Sequence, residues 1–235
     1  MPAGRRPAGS AEIAVLLGDT KCGKTYLAQH LLAQQTESER AIGLVWTPNV
    51  DDPWESCVPM RVGQVRRATW LPRRIVCHHD SYEAIAELAA ELGKKFDVVL
   101  VVDEAQQVYP ERYLDPEELT TQVLHRNRHF NIAFLLCTQV PAKISKRVLD
   151  AASRTYLFRI HANRSLLFIK DEYGAAAAND VADLHPRQYI MVTPSERPGH
   201  WIRRFREPPG DFEADRSGRA RQGPTVKRPE AGESE

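Results

Sequence analysis

Gly18-Asp19-Thr20-Lys21-Cys22-Gly23-Lys24-Thr25 fits the spacing G-x-x-x-x-G-K-[ST] at every constrained position. A loop of this kind surrounds phosphate oxygens with backbone N–H groups, and it needs glycine where a Cβ would stand in the way. The chemistry to expect is capture of a nucleoside triphosphate, read here as ATP. Lys24 would reach its β and γ phosphates, and the Thr25 hydroxyl would hold Mg²⁺. The alternative is a glycine turn that matches by chance. Against it, an apolar run over 13–17 reads as the strand that must precede the loop, and 26–35 as the helix that must follow. The start of that helix adds unpaired N–H donors and partial positive charge.

Hydrolysis needs more than a phosphate loop. Five consecutive aliphatic residues, 98–102, follow Asp97 and end in Asp103-Glu104. Such a run reads as a strand buried on both faces of a parallel sheet. Asp103 at its carboxyl end is suited to the Mg²⁺ shell opposite Thr25, and Glu104 to take a proton from the attacking water. An exposed acidic turn after a core strand is the competing reading. A second apolar run closes in Thr138-Gln139-Val140-Pro141. A glutamine at the carboxyl end of a parallel strand reaches the ligand crevice. Its amide can donate to a γ-phosphate oxygen while accepting from water, so it can sense an intact triphosphate.

Around these residues the alternation of strand and helix patterns predicts a doubly wound α/β domain. Strands are expected over 12–18, 41–46, 74–78, 97–103, 131–137 and 155–160. Helices are expected over 26–35, 81–92 (capped by Asp80), 117–128 and 144–151. Residues 47–70, with three prolines and little periodicity, read as a long connection outside the core. Residues 188–193 and 200–205 read as an antiparallel hairpin. The organisation predicted is a mobile Pro/Gly/Arg-rich arm over 1–10, one domain over 11–206, and a disordered tail over 207–235.

A chain of 235 residues with 42% hydrophobic content supports one substantial core. The net charge of +1 is uninformative, but its distribution is uneven. Residues 80–118 are strongly acidic, whereas over 119–170 Asp150 is the one acid beside nine lysines and arginines. That polarity suggests a face that meets phosphate, or else a solvated surface paired with the acidic half. Cys22, Cys57, Cys77 and Cys137 form no C-x-x-C pair, so neither a disulfide framework nor a structural zinc is indicated, and the setting expected is reducing and intracellular. Adjacent His78 and His79 would point to opposite faces of a strand, which disfavours a shared ion. No apolar run approaches the ~20 residues needed to span a bilayer.

The phosphate loop, the Asp-Glu strand, the basic His125-Arg126-Asn127-Arg128-His129 and the strand ending Thr-Gln-x-Pro, in this order, resemble the FtsK–HerA superfamily of DNA-pumping ATPases over roughly 13–160. The resemblance implies a RecA-like P-loop NTPase sheet in which an additional strand separates the phosphate-loop strand from the Asp-Glu strand, bringing Gln139 beside the γ-phosphate. It implies a ring, hexameric in most members, in which an arginine completes the neighbour's site. Arg128 matches that finger best, with Arg126 and Arg154 as further candidates. A phosphate-backbone contact or a helix C-terminal cation remains open for Arg128. A motor module of this length, with no room for the extra domains and membrane spans of other members, looks most like the genome-packaging ATPases of tailless, internal-membrane icosahedral viruses. The partners implied are double-stranded DNA, further copies of the chain, and capsid-vertex or internal-membrane proteins. The location implied is the host cytoplasm during assembly, or the virion. DNA contacts are expected at Lys143, Lys146 and Arg147, directly after Gln139. They are also expected in the arginine-rich stretch 61–74, at Arg66 and Arg67, with Trp70 available to stack. Capsid or lipid phosphate is the competing partner for that stretch. Asp103-Glu104-Ala105-Gln106 also resembles a turn of type II thymidine kinases, whose zinc-binding cysteines and nucleoside lasso are not visible here. A nucleotide switch without motor activity is the other alternative.

Overall fold

The structure is a computed structural model that describes residues 12–50, 54–111 and 115–193. The arm expected over 1–10, the strand over 200–205 and the tail over 207–235 lie outside the described residues. In chain order the elements are β1 (Ile13–Leu17), α1 (Lys24–Gln35), β2 (Ala41–Trp46), β3 (Val58–Pro59), α2 (Val62–Arg67), β4 (Arg74–Cys77), α3 (Tyr82–Leu92) and β5 (Asp97–Val102). They continue with α4 (Leu119–His125), β6 (Ile132–Thr138), α5 (Lys146–Ala151), β7 (Arg154–Phe158), α6 (Asn163–Tyr173), α7 (Ala175–Ala182) and β8 (Tyr189–Val192).

The strands form one sheet in the order β3-β4-β2-β5-β6-β1-β7-β8, parallel throughout except for β8. β1, β2 and β6 are buried along their whole length, which explains why they read as unbroken apolar runs. Side chains alternate between two cores. Ala14 and Leu16 face α1, whose Leu27, Ala28 and Leu32 recur at helical spacing. Ile13, Val15 and Leu17 face the opposite layer, built from α2 to α7. β6 lies between β1 and β5, in register Leu17↔Thr138 on one side and Val102↔Leu136 on the other. The phosphate-loop strand and the Asp-Glu strand are thus separated by the strand that carries Gln139, as the resemblance implies.

Several sequence expectations need correction. Residues 54–67 are not a bare connection: β3 pairs with β4, and Val62 and Val65 of α2 are buried in the core. The cap of α3 is Ser81, whose hydroxyl accepts the Ala84 N–H at 3.3 Å. Asp80 instead accepts the N–H of Val62 at 3.1 Å, holding the start of α2. α4 stops at His125, because the chain turns at once into β6 through Asn131 at φ 55°. The Asn131 side chain donates to the Phe96 carbonyl at 2.9 Å and to Asp97 at 2.6 Å, which pins the start of β6 to the start of β5. Helices α6 and α7, joined at Gly174, have no counterpart in the sequence reading. The expected strand at 188–193 forms as β8 and pairs antiparallel with β7, a partner not foreseen, while 200–205, the partner expected for it, lies outside the described residues.

Candidate active site

The phosphate loop joins β1 to α1 and is tied to three other segments. Gly18 N–H donates to the Thr138 carbonyl of β6 at 3.3 Å, and Asp19 N–H to the Arg159 carbonyl after β7 at 3.0 Å. The Asp19 carboxylate accepts the His161 N–H at 2.8 Å, and the Cys22 carbonyl accepts the Arg187 N–H at 2.8 Å. A Cβ at Gly18 would lie 2.6 Å from the Phe158 Cβ, and Gly23 adopts φ 108°, so both glycines are dictated by backbone geometry. Lys21 is also left-handed, at φ 59°.

Lys24 opens α1 and folds back over the loop. Its buried ammonium donates to the carbonyls of Gly18 at 2.8 Å and Asp19 at 2.6 Å. A buried cation solvated by loop carbonyls suits an anionic ligand, whose phosphate oxygens can take over those bonds. Burial pushes the Cys22 thiol up against the pull of Lys24, and burial with Asp103 nearby raises the Cys137 thiol well above its usual range. Both sulfurs are held as inert thiols.

Asp103 and Glu104, both buried, follow β5. Asp103 N–H donates to the Trp46 carbonyl at 2.9 Å, and its carboxylate accepts the Glu104 N–H at 3.1 Å. Glu104 is left-handed at φ 55°, a conformation costly for a non-glycine residue and concentrated at functional sites. Its carboxylate accepts hydrogen bonds from two side-chain amides, those of Gln106 and Gln139. The Gln139 carbonyl in turn accepts the Thr20 hydroxyl at 2.6 Å. Thr20, Gln139 and Glu104 therefore form one chain across β1, β6 and β5.

Half-buried Thr25 and buried Asp103 are oxygen donors, which suits a hard cation such as Mg²⁺. Among the described residues no cluster of three or more His, Cys, Asp or Glu could hold a metal ion. Such a cation would complete its shell from phosphate and water.

The remaining predicted residues lie apart from this site. Arg128 and Arg126 are exposed in the turns before β6, at the amino end of the strands and opposite the phosphate loop. Arg154 opens β7 at that same end and pairs with Glu12 at 3.3 Å. None of the three is brought to the phosphate loop of its own chain. Lys143 and Arg147 are exposed beyond Gln139, whereas Lys146 pairs with Glu172. In the arginine-rich stretch, Arg66 pairs with Glu91 at 2.8 Å and Glu87 at 3.4 Å, and Arg67 donates to the Gly63 carbonyl at 2.9 Å. Arg73 donates to the Glu37 carbonyl just past α1 at 2.8 Å. Trp70 is 74% exposed. Sequence reading missed Gln106, Arg159, His161 and Arg187. Only Gln106 carried a signal, its position two residues after Glu104.

The model of the zonular occludens toxin (Zot) family matches residues 15–194, which includes every element from the phosphate loop to β8. The chain belongs to the Zot family. Among curated proteins none matches its sequence significantly. Among solved structures it is similar to the genome-packaging NTPase B204 from Sulfolobus turreted icosahedral virus 2 in complex with sulfate. The identity is 21%, with 77% of this chain and 90% of that one covered, at a TM-score of 0.67. The same NTPase in complex with ATPγS matches at 19% identity, covering 79% and 93%, at a TM-score of 0.66. VirB4 of Thermoanaerobacter pseudethanolicus matches at 12% identity, covering 82% and 89%, at a TM-score of 0.51. At these identities the likeness is one of fold. This Zot-family chain has a P-loop NTPase fold.

Proposed function

We propose that this chain is an ATP-driven motor that moves double-stranded DNA, works as a ring, and packages a viral genome into a preformed capsid. The observation that carries this reading is the bridge from Thr20 through Gln139 to Glu104, which links the phosphate loop to the proposed base. A fold shared with a genome-packaging NTPase that takes ATPγS supports the choice of nucleotide and of task.

In this reading the loop amides of 18–25 and the Lys24 ammonium hold the β and γ phosphates. Thr25 and Asp103 would hold Mg²⁺, which would supply neutralisation of phosphate charge. Glu104 accepts a proton from the water that attacks the γ-phosphorus. Gln139 donates to a γ-phosphate oxygen, exchanging its bond to Glu104 for one to substrate. Arg128 acts on a neighbour's site, where its permanent charge offsets negative charge developing in the transition state. Lys143, Lys146 and Arg147 follow Gln139 and hold DNA phosphates, with Arg66 and Arg67 as a second contact. No helix among the described residues is long and apolar enough to cross a membrane. Capsid-vertex or internal-membrane proteins are the further partners of this reading. The setting is the host cytoplasm during assembly, or the virion.

The test is ATP turnover with and without duplex DNA, together with the mass of the assembly. DNA-stimulated turnover by a ring is expected. Lys24→Ala should lose nucleotide binding, and Glu104→Gln should keep binding while losing ~10²–10⁴-fold in turnover. A monomer whose slow hydrolysis ignores DNA would instead be a nucleotide switch, and one that phosphorylates thymidine a kinase.

A further inference from the structure

Glu104 is held by two amides, and the two are not alike. Gln139 has both ends engaged, its nitrogen on Glu104 and its carbonyl on the Thr20 hydroxyl. Gln106 donates its nitrogen to the other carboxylate oxygen of Glu104, but its own carbonyl oxygen is buried and has no hydrogen-bond partner. An ionised carboxylate only accepts, so the amide must present its NH₂ to Glu104 and leave its carbonyl for something else. A buried carbonyl without a donor is costly, about 1–3 kcal/mol. It therefore asks for a donor that comes with the substrate.

The backbone aims Gln106 at this place. Left-handed Glu104 is followed at once by a single turn of 3-10 helix, Ala105–Gln107, closed by the Gln107 N–H on the Glu104 carbonyl at 2.8 Å. The turn carries the side chain of Gln106 back onto the residue two positions earlier, while Gln107 points into solvent.

We propose that Gln106 belongs to the hydrolytic site: its nitrogen positions Glu104, and its carbonyl receives one hydrogen of the attacking water. This rests on the reading of Glu104 as the base. The water oxygen bonds to the γ-phosphorus as the bond to the bridging β–γ oxygen breaks, and that electron pair leaves with ADP. One proton passes to Glu104. The other, held toward Gln106 until then, stays on the transferred oxygen as the hydroxyl of inorganic phosphate.

The test compares Gln106→Met, Gln106→His, Gln107→Met and Glu104→Gln, measuring kcat and the affinity for a fluorescent ATP analogue. Methionine keeps the size of glutamine but removes donor and acceptor. Histidine keeps one donor and one acceptor nitrogen. For Gln106→Met the expected loss in kcat is on the order of 10–10²-fold, below that of a general base, with affinity unchanged. Gln106→His should fall between it and the parent, and Gln107→Met should match the parent. Parental turnover in Gln106→Met, a loss of affinity equal to the loss of turnover, or Gln106→His as slow as Gln106→Met would each overturn the proposal. If Gln106→Met does not fold, Gln106→His decides: turnover below that of Gln107→Met with intact affinity supports the proposal, and parental turnover overturns it. Glu104→Gln separates the two readings. Parental turnover there removes Glu104 as the base, whereas a dead Glu104→Gln beside a parental Gln106→Met removes only the role of Gln106.

Discussion

The hydroxyl of Thr20 in the phosphate loop donates to the amide carbonyl of Gln139 at 2.6 Å, although 119 positions separate the two residues in sequence. The same amide donates to Glu104. In the proposed reading, a γ-phosphate, whose oxygens accept, competes for the Gln139 NH₂ now given to Glu104 and for the Thr20 hydroxyl now given to the Gln139 carbonyl. On that reading the glutamine exchanges partners when nucleotide arrives.

Replacing Gln139 with leucine should leave nucleotide affinity within a few-fold of the parent and lower turnover by about 10–10²-fold, since an oriented donor to a developing charge is removed. Steady-state kinetics with an equilibrium binding titration check this. An affinity that falls as far as turnover would make Gln139 a binding residue only.

The arginine contribution is testable by mixing. Arg128→Ala subunits should assemble and bind ATP but not hydrolyse it. Mixed with Glu104→Gln subunits, they should regain activity at interfaces where an intact Glu104 faces an intact Arg128. No recovery in rings shown by mass to be mixed would move the assignment to Arg126 or Arg154.

DNA binding should be electrostatic, because a motor that travels a whole genome cannot depend on base edges. Lys143 and Arg147 are exposed, whereas Lys146 is engaged by Glu172. Reversing the charges of Lys143 and Arg147 should lower the slope of log affinity against log salt by about 0.9 for each DNA phosphate that is no longer neutralised, and abolish DNA stimulation. An unchanged slope takes this segment out of the DNA path.

Stability should be sensitive at Asn131, which combines a left-handed backbone with two hydrogen bonds from its side chain. Asn131→Ala loses both advantages and should cost about 2–3 kcal/mol. Asn131→Gly keeps the backbone freedom and should cost less. Thermal melting gives the order, and equal losses would mean that the left-handed conformation contributes nothing.

Local patterns made the centre of the sheet legible and its margins obscure. Residues 13–17, 98–102 and 132–137 are buried on both faces, so their apolar runs stand out without knowledge of any neighbour. The loop and the two carboxylates follow from spacing alone. Residues 58–67 hid because β3 has two residues and α2 buries only Val62 and Val65, too short a stretch to show a period. The pairing of β8 with β7 was illegible for a different reason. Two helices intervene, and turn chemistry cannot signal so distant a partner. Arg66 and Arg67 looked like a free basic cluster because Glu91 lies 25 positions away and a backbone carbonyl leaves no trace in composition.

The ties from the phosphate loop to β6, to the end of β7 and to Arg187 bear on the energetics of the ligand's arrival. Ordering a backbone costs roughly 1–2 kcal/mol per residue, and for this loop that cost is met during folding. Little of the free energy released by an incoming triphosphate goes to organising its own cradle. In the proposed reading, more of it remains for displacing Gln139, so that nucleotide binding would act on the motor and not merely on its seat.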